Sequence, residues 1–137
     1  MASDRDGRAD RVKVLFDTNS LMIPFQFRVD IFEELRNLIG AYEPLILTEV
    51  LQELEGLSRG RGRGGSAARS ALLLSRECAE TESGYLDGTV DEKIARFAGE
   101  HGCMVFTNDR GLRDTLLAIG IPVITLMQQK KLDILRR

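Results

Sequence analysis

Four short and mainly apolar runs, separated by stretches of helical periodicity, constrain the fold of this chain most strongly. The runs are rich in β-branched residues and do not alternate between apolar and polar positions: 12–16, 45–47, 103–106 and 123–126. Such runs are typical of parallel strands that are covered on both faces of a sheet. Helices are predicted between them at 29–38, 48–57, 67–80, 89–102 and 112–119, where apolar residues recur every three to four positions.

This alternation of strands and helices predicts an α/β fold, because parallel neighbouring strands need crossover connections. We expect a three-layer α/β/α sandwich around a parallel central sheet of four to five strands. Residues 128–137 form either the fifth strand or a fraying end. Thr89 and Glu92 have the spacing of a capping box, which predicts the start of one helix at this point.

The length of 137 residues is that of one domain. Residues 1–11 are charged and lack an apolar centre, so they are predicted to be a flexible N-terminal tail rather than a signal peptide. The domain is expected to span 12–137, with a Gly/Arg-rich loop at 58–66. Glycine offers no side chain for packing and costs backbone entropy to order, which favours a loop there.

Two of the predicted strands end in a carboxylate. Asp17 follows the first run directly, and Asp109 lies three residues after the third run. In an open parallel sheet the carboxyl ends of the strands form one edge, where ligands bind. Two acids at this edge repel each other unless a cation lies between them. Oxygen ligands favour Mg²⁺ or Mn²⁺.

Two further acids are candidates for the same edge. Glu53 lies in the helix after the second strand, although Glu49 and Glu55 compete with it for this role. Asp91 lies in the first turn of the helix that Thr89 starts, where the helix dipole alone is a sufficient reason for an acid. The functional interpretation therefore depends on the set of four carboxylates rather than on any single one.

The sequence around these acids resembles the PIN domain family over about residues 12–135. The matching motifs are Phe-Asp-Thr-Asn-Ser-Leu-Met at 16–22, Leu-Thr-Glu-Val-Leu-Gln-Glu-Leu at 47–54, Thr-Val-Asp-Glu-Lys-Ile-Ala at 89–95 and Val-Phe-Thr-Asn-Asp-Arg-Gly-Leu at 105–112. Val90 departs from the pattern, which often has alanine before the third acid. The resemblance implies an acidic site that binds Mg²⁺ or Mn²⁺ and carries out catalysis: Asp17, Glu53, Asp91 and Asp109. It also implies three supporting polar residues: Asn19, Thr107 and Asp114.

The resemblance further implies a metal-dependent endoribonuclease that cleaves single-stranded RNA in rRNA or other RNA processing. A toxin ribonuclease of the VapC type, paired with an antitoxin, is an alternative with the same chemistry. A non-catalytic PIN-like scaffold that binds RNA or protein is the alternative of another class. The four acids argue against the scaffold, since a site that had lost its activity would not require all four.

Contacts to RNA are expected from arginines on or beside the Gly-rich segment, with a merely solvated linker as the alternative. These arginines are Arg59, Arg61, Arg63 and Arg69. Phe25, Phe27 and Tyr85 are candidates for base stacking, each of which could instead pack in the core. The net charge of −2 does not by itself indicate nucleic-acid binding.

Two other classes of doubly wound proteins are disfavoured. A phosphatase of the haloacid-dehalogenase type needs an aspartate two residues after the first acid, where this chain has Asn19. A receiver domain needs paired acids in the first loop and a lysine after a late strand, and neither is found. Cys78 and Cys103 are expected to be free thiols in a cytoplasmic protein without a membrane span. A homodimer, an antitoxin or a ribosome-assembly partner are the protein partners under consideration.

Overall fold

The computed structural model describes residues 11–137. Most of the predicted N-terminal tail, residues 1–10, lies outside the described part. Six strands are present in residues 11–137: β1 (Val12–Phe16), β2 (Tyr42–Leu47), β3 (Ala79–Thr81), β4 (Met104–Phe106), β5 (Val123–Met127) and β6 (Lys131–Leu135). The same part of the chain contains six α-helices: α1 (Thr18–Phe27), α2 (Ile31–Ile39), α3 (Thr48–Ser58), α4 (Gly62–Leu74), α5 (Val90–His101) and α6 (Arg110–Ala118).

The strands form one sheet in the order β3-β2-β1-β4-β5-β6, in which every neighbouring pair is parallel except β5 and β6. The predicted α/β fold with a parallel central sheet is confirmed, with six strands instead of four to five. The additional strand is β3, whose three residues are too few and too polar to produce an apolar run. Within the segment 128–137, residues 131–135 form a strand that pairs antiparallel to β5.

The register of the central strands aligns their carboxyl ends at one edge of the sheet. Phe16, the last residue of β1, pairs with Ile46 of β2 and with Phe106 of β4. The residues that follow β1 and β4 therefore emerge side by side at the carboxyl edge. Phe16 and Phe106 are fully buried, and their rings meet edge to face with centroids 5.4 Å apart.

Helices cover both faces of the central strands. Val14, Leu15 and Phe16 of β1 are all inaccessible to solvent, although successive side chains of a strand point to opposite faces. All three residues of β4 are buried as well. Two buried faces need two covering layers, which agrees with the predicted three-layer sandwich.

Helix α1 was not predicted, because Asn19, Ser20 and Pro24 disfavour a helix locally. The helix forms because Asp17 caps its N-terminus and because Leu21 and Ile23 are buried in the core. Tertiary burial thus outweighs the local preference. The capping box of Thr89 and Glu92 at the start of α5 is confirmed.

The predicted Gly/Arg-rich loop at 58–66 is wrong. Helix α3 continues to Ser58 and α4 begins at Gly62, so only residues 59–61 connect them. The physical reason is a close approach: a Cβ on Gly65 would collide with the carbonyl of Gly60. Glycine is therefore used here for close packing of two chain segments, not for flexibility.

No helix within residues 11–137 is both long enough and apolar enough to span a membrane.

Candidate metal-binding active site

Asp17 lies at the end of β1 and is the N-cap of α1. One carboxylate oxygen, Oδ1, accepts a hydrogen bond of 2.7 Å from the backbone N–H of Ser20. The other, Oδ2, accepts a hydrogen bond from the hydroxyl of Thr107. The side chain is thus held from both sides and is only 4% exposed.

Thr107 connects Asp17 to the second strand-end acid. Thr107 is the residue that follows β4, and it is fully buried. Its Oγ1 accepts a hydrogen bond of 3.0 Å from the backbone N–H of Asp109. Asp109 is in turn the N-cap of α6, where its Oδ2 accepts from the N–H of Leu112 at 2.7 Å. A single hydroxyl therefore contacts one acid directly and fixes the backbone of the other.

Glu53 and Asp91 reach the site from two helices. Glu53 lies in α3, and its Oε1 accepts a hydrogen bond from the hydroxyl of Thr18 at the start of α1. Asp91 is the second residue of α5. Neither acid caps its own helix, since Leu47 and Thr89 occupy those positions.

The structure brings all four predicted acids to one cleft of about 280 Å³ at the carboxyl edge of the sheet. The described residues that line this cleft include no lysine or arginine. The lining residues are Asp17, Thr18, Asn19, Met22, Glu53, Leu57, Val90, Asp91, Ile94 and Asp109. Within residues 11–137, however, no three acidic, histidine or cysteine side chains are grouped tightly enough to form a ready metal site.

The pKa values of two of the four acids in the cleft are raised. Burial raises the pKa of Asp17 to about 6, although hydrogen bonds from Thr107 and Ser20 act in the opposite direction. Partial burial also raises the pKa of Asp91, and the neighbouring charges of Asp109 and Glu53 add to the effect. The carboxylates are therefore close enough to destabilise one another's charged forms.

The supporting residues predicted from sequence divide into three cases. Thr107 contacts Asp17, and Asn19 lines the cleft. Asp114 is not brought to the cleft: its side chain is 66% exposed and pairs with Arg113 at 3.4 Å. Glu49, the competitor of Glu53, is engaged elsewhere, where it accepts from Ser83 and pairs with Lys93.

Sequence reasoning missed one polar residue that lines the cleft and one that supports the loop carrying Asp109. Thr18 holds Glu53, and Asn108 accepts hydrogen bonds from the hydroxyl of Thr125 at 2.7 Å and from the N–H of Leu126 at 2.8 Å. Asn108 thus attaches the loop after β4 to β5. Both residues adjoin a predicted acid, which is the signal that could have identified them.

The four predicted RNA-binding arginines differ in their surroundings. Arg59, Arg61 and Arg63 are exposed near the junction of α3 and α4. The guanidinium of Arg69 instead donates to the carbonyls of Ser58 at 2.7 Å and Gly60 at 3.2 Å. Arg69 therefore stabilises the α3–α4 junction, a structural role that its place in the sequence did not reveal.

Comparison with known proteins agrees with this architecture. The sequence model described as a PIN-like domain matches residues 14–129, which is most of the chain. The protein belongs to the PIN-like domain family. The resemblance to PIN domains noted in the sequence is thereby confirmed.

Two curated proteins are similar to this PIN-like domain over nearly its whole length. Ribonuclease VapC9 of Archaeoglobus fulgidus is 37% identical over 135 residues, covering 96% of this chain and 95% of the relative. Ribonuclease VapC4 of Methanocaldococcus jannaschii is 29% identical over 127 residues, covering 89% of this chain and 95% of the relative.

A solved structure has the same fold. The PIN domain endonuclease Utp24 superposes on this PIN-like domain with a TM-score of 0.78 and 27% sequence identity. The match covers 91% of this chain and 92% of that chain. The fold assignment thus has support from both sequence and structure.

Proposed function

We propose that this PIN-like protein is an endoribonuclease that cleaves phosphodiester bonds of single-stranded RNA with the help of Mg²⁺ or Mn²⁺, in the processing of rRNA or other RNA. The observation that carries the proposal is the convergence of Asp17, Glu53, Asp91 and Asp109 on one cleft. The ribonuclease and endonuclease names of the similar proteins support it.

The chemistry of the cleft fits a hard divalent cation. All charged lining residues are carboxylates, and the pKa values of Asp17 and Asp91 are raised. Burying unpaired negative charge is costly, and oxygen-only ligands favour Mg²⁺ or Mn²⁺. Glu53 and Asp91 are exposed side chains on helices, so a change of rotamer is sufficient to move their carboxylates toward a cation in the cleft.

The reaction is a hydrolysis. A water oxygen forms a bond to phosphorus, and the bond from phosphorus to the leaving ribose oxygen breaks. The water releases a proton to solvent, and the leaving oxygen takes one up, so that one water is consumed. A divalent cation, when bound, supplies a water of lowered pKa and neutralises charge on the phosphate.

Residues of the chain position the phosphate and the cation, and no side chain is needed as a nucleophile. Asp17 and Asp109 are held by backbone N–H groups of α1 and α6, so their carboxylates keep fixed places at the sheet edge. Thr107 fixes their relative position. His101 lies at the end of α5, stacks on Phe97 with ring centroids 4.1 Å apart and does not line the cleft.

The test is a cleavage assay on a single-stranded RNA oligonucleotide after removal of metal with EDTA. We expect no cleavage without metal, restored cleavage with Mn²⁺, and severe loss in Asp17→Asn. Asp114→Asn is the matched control, because Asp114 is an exposed acid outside the cleft. Absence of cleavage by the wild type in Mn²⁺ would refute the proposal and favour a non-catalytic scaffold, whereas equal cleavage by Asp17→Asn and the wild type would exclude Asp17 from the reaction.

Arg59, Arg61 and Arg63 are proposed to contact the RNA. Their exposure near the start of α4 leaves the guanidinium groups accessible to phosphates. Charge reversal of the three should weaken RNA binding and reduce its salt dependence without unfolding the protein. Unchanged binding at two salt concentrations would contradict this assignment.

A toxin ribonuclease that is neutralised by an antitoxin is the second candidate, favoured by the VapC names of the two curated relatives. The proposed chemistry is the same, and the biological role differs. Expression of the protein alone should arrest growth if it is a toxin, and Asp17→Asn should abolish the arrest. Normal growth with active enzyme would instead favour a processing nuclease.

A cytoplasmic location and a homodimer remain part of the proposal.

A further inference from the structure

A second concavity lies beside the acidic cleft, between α1 and α4. Its volume is about 610 Å³, within the range of about 300–1,000 Å³ that is usual for small-ligand pockets. It is lined from α1 by Met22, Phe25, Gln26 and Phe27, and from α4 chiefly by Arg63 and Gly64. We call this concavity the α1–α4 groove.

The groove adjoins the acidic cleft, because Met22 lines both. A strand of RNA whose phosphate lies at the four carboxylates can therefore extend its neighbouring nucleotide toward α4. This shared residue distinguishes the groove from three other concavities within residues 11–137, which are lined by no residue of the cleft.

The chemistry of the lining suits a nucleobase. Phe25 is 41% exposed, an unusual amount for a large aromatic side chain, and aromatic rings stack on bases of any sequence. Gly64 leaves the surface of α4 bare, since a Cβ built there meets nothing within 4 Å. Gln26 offers an amide for the edge of a base, and the exposed Arg63 offers a cation for the adjoining phosphate.

We propose that the α1–α4 groove binds one base of single-stranded RNA, adjacent to the nucleotide whose phosphate is cleaved. This inference rests on the proposed ribonuclease function and adds a subsite to it. The groove is mainly apolar, exposes the ring of Phe25, carries a cation rather than a carboxylate and adjoins the acidic cleft, which together favour a nucleotide over a protein segment.

The test fills the groove without touching the acids. Gly64→Leu places a side chain in the groove, and Gly56→Leu in α3 is the matched control, because its Cβ also meets nothing within 4 Å and Gly56 lines neither cavity. Both glycines are helical, so leucine favours the folded state at either position. Phe25→Ala is a second variant that removes the stacking surface.

We expect Gly64→Leu to raise the KM for an RNA octamer in Mn²⁺ about 5- to 100-fold, the effect of losing one stacked base, with little change in kcat. Gly56→Leu should match the wild type. An abasic nucleotide moved along the octamer should raise KM for the wild type at one position. At that position Gly64→Leu and the wild type should behave alike.

The outcomes separate this inference from the function on which it rests. If the wild type cleaves RNA and folded Gly64→Leu cleaves it with the same KM, the base subsite is refuted and the nuclease proposal stands. If the wild type cleaves no RNA, the nuclease proposal fails and the subsite fails with it. If Gly64→Leu converts a dimer to a monomer in sedimentation while KM is unchanged, a second copy of the chain occupies the groove and the proposal is overturned.

Discussion

The hydroxyl of Thr107 donates to the carboxylate of Asp17 across 90 residues of sequence, and the same oxygen accepts from the backbone N–H of Asp109. Both acids are strand-end residues of neighbouring parallel strands. One buried side chain thereby sets the distance between two groups that the chain brings together only on folding.

Replacing Thr107 should therefore affect both metal binding and stability. Thr107→Val keeps the shape but removes the hydroxyl, so we expect a loss of about 10- to 100-fold in Mn²⁺ affinity, the usual effect of removing a residue that orients a metal ligand. The buried partners left without a hydrogen bond should cost about 1–3 kcal/mol of unfolding free energy. Titration calorimetry and urea unfolding measure the two effects.

Thr107→Ser is the control for this experiment, since serine retains the hydroxyl. It should keep most of the metal affinity. Equal affinities for Thr107→Val and the wild type would contradict an orienting role.

Asp17→Asn should lower kcat/KM by more than about 100-fold, because it removes a proposed ligand rather than a residue that orients one. It should also abolish the increase in Tm that Mn²⁺ gives the wild type. Both measurements together are needed, since loss of activity alone does not locate the metal. A normal Mn²⁺ response in the variant would place the ion elsewhere.

The stability of the metal-free protein should depend on pH through Asp17. Its folded pKa of about 6 lies above the ordinary aspartate value of 3.8, so the folded state binds the proton more tightly than the unfolded state. Stability is therefore greatest below pH 3.8 as far as this group is concerned, and falls as pH rises toward 6, by about 3 kcal/mol in total.

Comparison with Asp17→Asn isolates this contribution from the other acids. In EDTA, the difference in unfolding free energy between wild type and variant should grow in favour of the variant from pH 4 to pH 7. A constant difference across this range would contradict the raised pKa. Urea unfolding at several pH values provides the measurement.

Two adjacent glycines of α4 should respond in opposite ways to alanine. Gly65→Ala introduces a Cβ that collides with the backbone carbonyl of Gly60, which should cost about 1–3 kcal/mol, as overpacking usually does. Gly64→Ala has open space and should stabilise the helix by up to about 1 kcal/mol. Urea unfolding of the two variants compares them directly, and similar stabilities would contradict the close approach of the two segments.

Arg69 should behave differently from Arg61, because its guanidinium is hydrogen-bonded to the chain although it is also exposed. Arg69→Ala removes two hydrogen bonds to the carbonyls of Ser58 and Gly60, so we expect a loss of about 1 kcal/mol of stability. Arg61→Ala should leave stability unchanged and weaken RNA binding. Unfolding curves and RNA binding at low salt distinguish the two roles, and a purely RNA-binding phenotype for Arg69→Ala would refute the structural one.

The parts of the fold that the sequence predicts are those with a local cause. The apolar runs β1 and β4 are each followed within three residues by an acid, and the capping box of Thr89 and Glu92 starts α5, because short stretches of chain determine these features. The proximity of Asp17 and Asp109 was also predictable, since the carboxyl ends of parallel strands share one edge. Glu53 and Asp91 lie in helices, and the resemblance to PIN domains added them to the set.

The parts that sequence reasoning missed depend on contacts between distant segments. Helix α1 contains Pro24 and forms because its apolar side is buried, and the 58–66 segment is helical in part because Gly65 lies against Gly60. Composition shows glycine and proline but not what they contact. Asp114 and Arg69 illustrate the same limit, because only the folded chain shows which charged groups are engaged elsewhere.

The capping hydrogen bonds give two of the four acids a second purpose. Asp17 and Asp109 begin helices α1 and α6, whereas Glu53 and Asp91 begin none. In a protein with this architecture that had lost its catalysis, the first pair would still stabilise the starts of these two helices. For judging whether a similar chain is an active enzyme, the informative positions are therefore those of Glu53 and Asp91, which folding alone does not require.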